Sequence, residues 1–286
     1  MTLLLELSEL GSLPDPVLFV DARILADYER GHIPGAIHHD TFEFANEQTD
    51  GEHLEEVVDA WRQMFCDVGI TFDDAVVFYD VGTENRAARP AFMLHHLGHP
   101  NVHVLHGGMT AWLDDNRGLS AETTRKPAVS WAAPPSQRRS GMVVGVDEVS
   151  ACLGREDVVL LDVRDESEFE GTRQMQGNPR LGRIPGARSC EWRRFLEHRA
   201  EYPADAGTAR DEGYVLERLR AVDELRAELD KVGVSRPDTE VVIYCQKSHR
   251  ASLVYLVFEK LRYTNGQVYV GSFREWSRRM DLPVEA

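Results

Sequence analysis

Cysteine is scarce in this chain of 286 residues and occurs only at Cys66, Cys152, Cys190 and Cys245. No two of these residues have the Cys-x-x-Cys spacing of zinc and redox motifs, and their wide separation does not resemble a disulfide framework. We therefore predict reduced thiols, no metal site and a cytoplasmic location for the protein.

Long apolar runs and clusters of positive charge are also missing. No apolar stretch reaches the length of a membrane span, and no basic residue precedes the apolar N-terminal stretch, which argues against a signal peptide. The net charge is −16, and only 8 of the 32 basic residues lie among the first 135, against 22 of the 48 acidic ones. We expect no nucleic-acid or membrane partner. An anionic small substrate would be handled by the second half, which holds most of the cations.

The chain contains an internal repeat. Residues 17–37 and residues 158–187 both run from an apolar strand through Asp-x-Arg and an aromatic residue to Ile-Pro-Gly-Ala, and the second copy has 10 more residues before its Ile-Pro-Gly-Ala. Residues 75–112 and 240–276 both contain a strand, a polar loop ending in Arg-Ala, an apolar helix, another strand and a Trp. This shared order indicates two copies of one unit.

The predicted strands are short, continuous apolar runs such as Val-Val-Phe and Val-Val-Leu-Leu, which are typical of parallel strands buried on both faces. Helical patterns alternate with them, so we predict an α/β fold of two tandem domains. Each would be a small, mainly parallel sheet flanked by helices. Residues 118–141 have no periodicity and are rich in Ser, Pro and Thr, which predicts a linker between domains of residues 1–117 and 142–286.

The two copies differ where their second strand ends, at Asp80 in one and Cys245 in the other. Ligands bind at the carboxyl ends of strands in open α/β sheets. A helix predicted to begin near Arg250 would direct backbone N–H groups at the Cys245 sulfur, and Lys247 and Arg250 add positive charge. These features favour a reactive thiolate. A buried, inert cysteine at a strand end is the alternative.

The loop that begins at Cys245 reads Cys-Gln-Lys-Ser-His-Arg and resembles the active-site loop of the rhodanese family. The Asp-x-Arg and Ile-Pro-Gly-Ala motifs of both halves, Gly-Gly-Met-Thr-Ala-Trp and Val-Gly-Ser-Phe-Arg-Glu-Trp extend this resemblance over nearly the whole chain. It implies two rhodanese-like domains, of which the first has Asp80 in place of the catalytic Cys. It also implies a substrate-binding role for the residues that share the loop with Cys245: Gln246, Lys247, Ser248, His249 and Arg250.

The resemblance further implies a thiosulfate sulfurtransferase that needs no cofactor. Sulfur would pass from a small anionic donor, thiosulfate, to cyanide or a thiol acceptor through a persulfide on Cys245. In the family, a Lys at the third loop position accompanies the use of thiosulfate, and Lys247 fits that pattern. Trp192, which follows the second Ile-Pro-Gly-Ala, is similar to a Trp that lines the pocket in related enzymes.

This sequence also departs from the family pattern. Two-domain members often carry a donor-binding Arg six positions beyond the Asp of the Asp-x-Arg motif, where this chain has Glu168. Another cation would have to take its place, and Arg164 and Arg183 are the candidates. The loop has Gln246 instead of the common Arg and Ser248 instead of the common Gly, a form that resembles a known bacterial variant.

Three alternatives stay open at this stage. The donor could be 3-mercaptopyruvate, or the protein could be a persulfide carrier that passes sulfur to a protein partner. A phosphatase or arsenate reductase is the third. Related phosphatases use Cys-x5-Arg, whereas Cys245 to Arg250 is one residue shorter, and this length favours sulfur transfer. The sequence leaves the physiological donor and acceptor, the pathway and the oligomeric state undetermined.

Overall fold

The computed structural model describes residues 3–82, 85–199 and 215–286. These residues belong to two compact units, each with its own sheet. The first unit draws on Met1–Glu43, Ala60–Arg138 and Leu196–Arg220, and the second on Phe44–Asp59, Arg139–Phe195 and Ala221–Ala286. Within the described part of the chain, no helix has both the length and the apolar character needed to cross a bilayer.

The first unit is built on a parallel sheet of five strands with the order β1-β5-β4-β2-β3. These strands are β1 (Leu4–Leu5), β2 (Val17–Asp21), β3 (Ile37–His38), β4 (Ala75–Tyr79) and β5 (Val102–Leu105). The helices of this half of the chain are α1 (Leu25–Arg30), α2 (His53–Asp67), α3 (Asn85–His96) and α4 (Gly108–Asp114).

The second unit repeats this plan with the strand order β6-β12-β11-β7-β8, again all parallel. Its strands are β6 (Val143–Val144), β7 (Val158–Asp162), β8 (Arg188–Ser189), β11 (Glu240–Tyr244) and β12 (Gly266–Tyr269). Its helices are α5 (Val146–Ala151), α6 (Glu166–Phe169), α7 (Val222–Lys231), α8 (His249–Leu261) and α9 (Ser272–Arg278). The predicted fold class is confirmed.

Irregular elements complete the chain. Strands β9 (Leu196–Arg199) and β10 (Val215–Leu219) form an antiparallel ribbon. Short 3-10 helices cover Leu7–Ser12, Pro135–Gln137 and Trp192–Phe195.

The central strands are mostly apolar because helices cover both faces of a parallel sheet. Every residue of β4 and β7 is buried, as are the last four of β11. Parallel strands end at a common edge of the sheet. Asp80 therefore lies at that edge in the first unit and Cys245 in the second, which is where ligands bind in such folds.

The Asp-x-Arg motifs serve the fold in both units. Arg164 donates to both carboxylate oxygens of Asp162, with Nη2–Oδ2 at 2.6 Å, and to the carbonyl oxygen of Gly182 at 2.8 Å. Arg23 makes the same bidentate contact with Asp21. Both arginines are buried. Because a buried charge must be paired and hydrogen-bonded, these contacts satisfy the guanidinium groups inside the protein.

The segment before the second Ile-Pro-Gly-Ala, residues 170–183, is longer than in the first copy, and this extra segment is anchored to α9 by two arginines. Arg278 Nε donates to the carbonyl oxygen of Gly177 at 3.0 Å. Arg180 donates to four carbonyl oxygens at 2.7–2.9 Å, those of Trp276, Ser277, Arg279 and Leu282. The last carbonyls of a helix have no partner within the helix, so Arg180 supplies donors where they are needed. This anchor holds the extra segment beside the loop that begins at Cys245.

Candidate active site

Cys245 follows the central strand β11, between the neighbouring strands β7 and β12. It is 1% exposed. Its carbonyl oxygen accepts a hydrogen bond from the backbone N–H of Phe273 at 2.9 Å, in the first turn of α9. The predicted strand-end position of this cysteine is thus confirmed, and its backbone is held from two sides.

Ser272 holds the backbone of the loop through its side chain, a role that the sequence did not reveal. Its Oγ accepts hydrogen bonds from the backbone N–H of Cys245 at 3.3 Å and of Ser248 at 3.1 Å, and donates to the carbonyl oxygen of Tyr269 at 2.9 Å. The first repeat has Gly108 at this place, and both residues have a positive φ. The exchange of Gly-Gly-Met for Gly-Ser-Phe was the available signal.

The loop leads directly into α8, which begins at His249. Ser248 adopts a left-handed conformation, with φ 66°, and its carbonyl oxygen accepts from both the N–H and the Oγ of Ser252 at 2.9 Å. The N–H groups of His249, Arg250 and Ala251 precede the first N–H that can find an acceptor in the helix. The loop therefore places backbone donors and the positive end of the helix next to Cys245.

The corresponding loop of the first unit shows what such donors bind. Asp80 accepts hydrogen bonds through Oδ1 from the N–H of Gly82 at 3.0 Å, and through Oδ2 from those of Arg86 at 2.8 Å and Ala87 at 3.3 Å. The chain thus fills this site with its own carboxylate. The loop of the second unit is one residue shorter, from Cys245 to Arg250 instead of Asp80 to Arg86. It also leads into a helix, so its backbone donors can stabilise an anionic sulfur.

The side chain of Gln246 forms two hydrogen bonds with Asn178 in the extra segment. Its Nε2 donates to Asn178 Oδ1 at 2.6 Å, and Asn178 Nδ2 donates to Gln246 Oε1 at 2.9 Å. Both side chains are buried. A reciprocal amide pair of this kind uses the carbonyl and one N–H of each side chain, so Gln246 ties the loop to the segment.

Arg250 is held by two carboxylates rather than being open to the loop. Its Nη1 and Nη2 donate to Glu168 at 2.6 and 3.1 Å, and Nη1 also donates to Asp165 at 3.1 Å. The Glu168 side chain is 1% exposed. Burial lowers the pKa of the Arg250 guanidinium. The contacts with Glu168, together with smaller contributions from Cys245 and Asp165, more than compensate for this effect, so the pKa is raised. Glu168 thus balances Arg250 beside the nucleophile.

We predict that Glu168→Ala lowers the free energy of unfolding by roughly 3–5 kcal/mol, because it leaves a buried guanidinium without its main partner. Urea unfolding would measure this loss. Glu166→Ala is the matched control: Glu166 is 55% exposed and lies 3.7 Å from Arg194, and such surface pairs contribute about 0–1 kcal/mol. Equal stability of the two variants would contradict the structural role of Glu168.

The remaining predicted site residues lie in different places. Arg164 is committed to Asp162, as described above. Arg183 pairs with Glu285 and lies 4.6 Å from the ring of Phe169. Because both guanidinium groups have partners inside the protein, neither arginine is proposed to bind the sulfur donor.

Other predicted residues stay near the loop. Lys247 is partly exposed within it, and His249 is buried at the start of α8. Trp192 is buried in a 3-10 helix that packs against α8. Lys247 and His249 share the loop with Cys245, and the 3-10 helix of Trp192 packs against the helix that follows this loop, so all three stay candidates for substrate binding.

Two of the other cysteines are poorer nucleophiles. Burial raises the pKa of Cys190 to about 12 and also raises the pKa of Cys152. Cys66 lies in α2 rather than at the end of a strand, and Nη1 of Arg62 is 3.7 Å from its Sγ. Residues 3–82, 85–199 and 215–286 contain no group of three or more His, Cys, Asp or Glu residues arranged to hold a metal ion. Cys245 is thus the cysteine whose surroundings suit nucleophilic chemistry.

Comparison with known proteins identifies the family of this chain. The model of the rhodanese-like domain family matches residues 4–115 and again residues 145–279. The thiosulfate sulfurtransferase of Azotobacter vinelandii is 30% identical over 96% of this chain and 92% of its own length. That of Pseudomonas aeruginosa is 30% identical over 94% and 91%. The 3-mercaptopyruvate sulfurtransferase of Escherichia coli K12 is 26% identical over 93% and 87%.

Solved structures of known proteins share the fold of this chain. A crystal structure of a probable thiosulfate sulfurtransferase superposes with a TM-score of 0.69 at 26% identity, covering 96% of this chain and 99% of that one. An EanB variant in complex with hercynine gives a TM-score of 0.75 at 25% identity, covering 98% of this chain and 67% of that one. Both similarities extend over both units.

Proposed function

The chain belongs to the rhodanese-like domain family, and on that premise we propose that it is a thiosulfate sulfurtransferase that carries sulfur as a persulfide on Cys245. Sulfur transfer is the activity for which its relatives are named. The chemistry would reside in residues 142–286, with residues 118–141 as the linker. The observation that carries this proposal is the position of Cys245 directly after β11, separated from the start of α8 by three residues.

The proposed reaction has two displacement steps. The Cys245 thiolate attacks the outer sulfur of thiosulfate, the S–S bond of thiosulfate breaks, and sulfite leaves with its electron pair. Cys245 is now a persulfide anion. Cyanide or a thiolate then attacks the terminal sulfur, and the Cys245 thiolate is restored. Splitting the transfer through a covalent intermediate replaces one difficult step by two easier ones.

The first unit supports the electrostatic part of this mechanism. Its loop holds the Asp80 carboxylate with three backbone N–H groups at 2.8–3.3 Å. We infer that the second loop holds the negative charge of the Cys245 thiolate and then of the persulfide in the same way. Fixed donors of this kind stabilise charge without reorganising during the reaction. No step in this scheme calls for a metal or an organic cofactor.

We expect the protein to form thiocyanate from thiosulfate and cyanide, and to do so more efficiently than from 3-mercaptopyruvate and cyanide. The ratio of kcat/KM for the two donors is the decisive measurement. A ratio in favour of 3-mercaptopyruvate would assign the activity named for the Escherichia coli relative instead. Stoichiometric persulfide with slow turnover on cyanide would indicate a carrier that serves a protein partner.

Lys247 is a partly exposed cation in the loop, and we predict that it favours donors with a higher negative charge. Lys247→Ala should raise the KM for thiosulfate, a dianion, about tenfold, because one charge-assisted contact is lost. The KM for 3-mercaptopyruvate, a monoanion, should rise less. Lys260→Ala, near the other end of α8, is the control and should leave both values unchanged. An equal rise for the two donors would show that Lys247 does not distinguish them.

A further inference from the structure

Three arginines converge on a single carboxylate beside the Cys245 loop. Asp165 Oδ1 accepts from Nη1 of Arg193 at 2.9 Å and from Nη1 of Arg250 at 3.1 Å, and Oδ2 accepts from Nη1 of Arg173 at 3.2 Å. Because Arg193 and Arg250 share one oxygen atom, their guanidinium groups are neighbours. Arg250 in turn belongs to the loop and interacts electrostatically with Cys245.

These cations are not equally available to a ligand. Both terminal nitrogens of Arg250 contact Glu168, and its side chain is 13% exposed, so its charge is already balanced inside the protein. The Arg193 side chain is 36% exposed. Its contacts with Asp165 and with Glu191, at 3.0 Å, both use Nη1. Nη2 and Nε of Arg193 make no hydrogen bond to any residue that the structure describes and remain as donors.

A second donor lies next to Arg193. The Arg193 guanidinium is 4.9 Å from the centre of the Trp192 ring. Trp192 is 6% exposed, and its indole Nε1 has no hydrogen-bond partner in the described part of the chain. An indole N–H can only donate, and a buried donor without an acceptor is unusual in a folded protein. The cation and the N–H together suit the oxygen atoms of an anion.

We propose that Arg193 and the indole N–H of Trp192 bind the anionic end of the sulfur donor. For thiosulfate this is the sulfonate group, which leaves as sulfite. Asp165 acts as a positioning residue that holds Arg193 beside Arg250, and Arg173 adds positive charge from a more exposed position. This inference rests on the proposed function and names the residues that recognise the donor, a role for which Arg164 and Arg183 are unsuited by their internal contacts.

Steady-state kinetics of Arg193→Gln test this role. The KM for thiosulfate should rise about tenfold, since a charge-assisted contact is lost, whereas kcat should change little. The constant for inhibition by sulfite should rise in parallel. Transfer to cyanide from enzyme already loaded with persulfide should proceed at the wild-type rate. Arg194→Gln is the matched control, because Arg194 is adjacent, 43% exposed and 3.7 Å from Glu166. Its KM should stay within about twofold of wild type, as expected for a surface pair.

Two further variants keep the test decisive if Arg193→Gln does not fold. Arg193→Lys keeps the charge but loses the fork of donors, so its KM should rise by a smaller factor. Trp192→Phe keeps the ring and removes the N–H, so its KM should also rise. Wild-type values of KM for thiosulfate in the folded variants, or an equal rise in Arg194→Gln, would overturn the proposal. Absence of any persulfide in the wild-type protein would instead overturn the proposed function itself.

Discussion

Cys245→Ser is expected to abolish transfer of sulfur from thiosulfate to cyanide. An alcohol cannot form a persulfide, and a serine hydroxyl is a much weaker nucleophile than a thiolate. The loop would keep its hydrogen bonds, because Cys245 contacts Ser272 and Phe273 through its backbone N–H and carbonyl groups. The variant should therefore fold, and thiocyanate formation measures the loss.

The other three cysteines are the controls for this experiment. Substituting Cys66, Cys152 or Cys190 singly by Ser should leave most of the activity, since none of them follows β11. Each is buried, so some loss of stability is expected and specific activity should be compared on folded protein. Measurable turnover in Cys245→Ser would show that another group carries the sulfur.

Inserting one Gly between His249 and Arg250 is expected to lower thiosulfate turnover at least about a hundredfold, the effect of removing a fixed donor from a developing anion. The insertion gives the loop the length found in related phosphatases. It would displace the first N–H groups of α8 from the sulfur and pull Arg250 from Glu168. Steady-state turnover with thiosulfate and cyanide is the measurement.

The control for loop length is an insertion elsewhere in the same unit. One Gly placed after Gly154, an exposed residue with φ 76°, should leave turnover within about twofold, because exposed turns tolerate insertions. The wild-type protein should not hydrolyse p-nitrophenyl phosphate. Hydrolysis through Cys245 without persulfide formation would favour the phosphatase alternative.

Much of the architecture could be predicted because its signals are local. Short apolar runs such as those of β4 and β7 identify buried parallel strands, and the repeated motifs identify two copies of one fold. The strand-end position of Cys245 follows from the same pattern. These properties depend on residues that are close together in the chain, so they can be read without knowledge of long-range contacts.

The partners of the charged side chains could not be predicted in the same way. Glu168 stands out in the sequence only as a missing Arg, whereas the structure pairs it with Arg250, far away in the chain. Arg164 was a candidate for the donor because a cation was needed, but Asp162 and Gly182 use its donors. Arg193 gave no signal, since its position beside Arg250 depends on the carboxylate of Asp165. Long-range pairing decides which cation is available to a ligand.

Balanced charge near the loop has a consequence for substrate recognition. If Arg250 were open, a dianion would meet concentrated positive charge beside Cys245. Glu168 reduces that charge, so we expect recognition of the donor to depend more on Lys247 and Arg193. Charge complementarity of this kind sets specificity more than overall affinity. Donor preference in this protein should therefore respond to these two residues more than to Arg250.

The most direct test of a persulfide on Cys245 is the intact mass of the protein after incubation with thiosulfate and removal of the excess. We predict that the wild-type protein gains one sulfur atom, that cyanide removes it, and that Cys245→Ser gains none under the same conditions. An unchanged wild-type mass, or the same gain of sulfur in Cys245→Ser, would contradict the account.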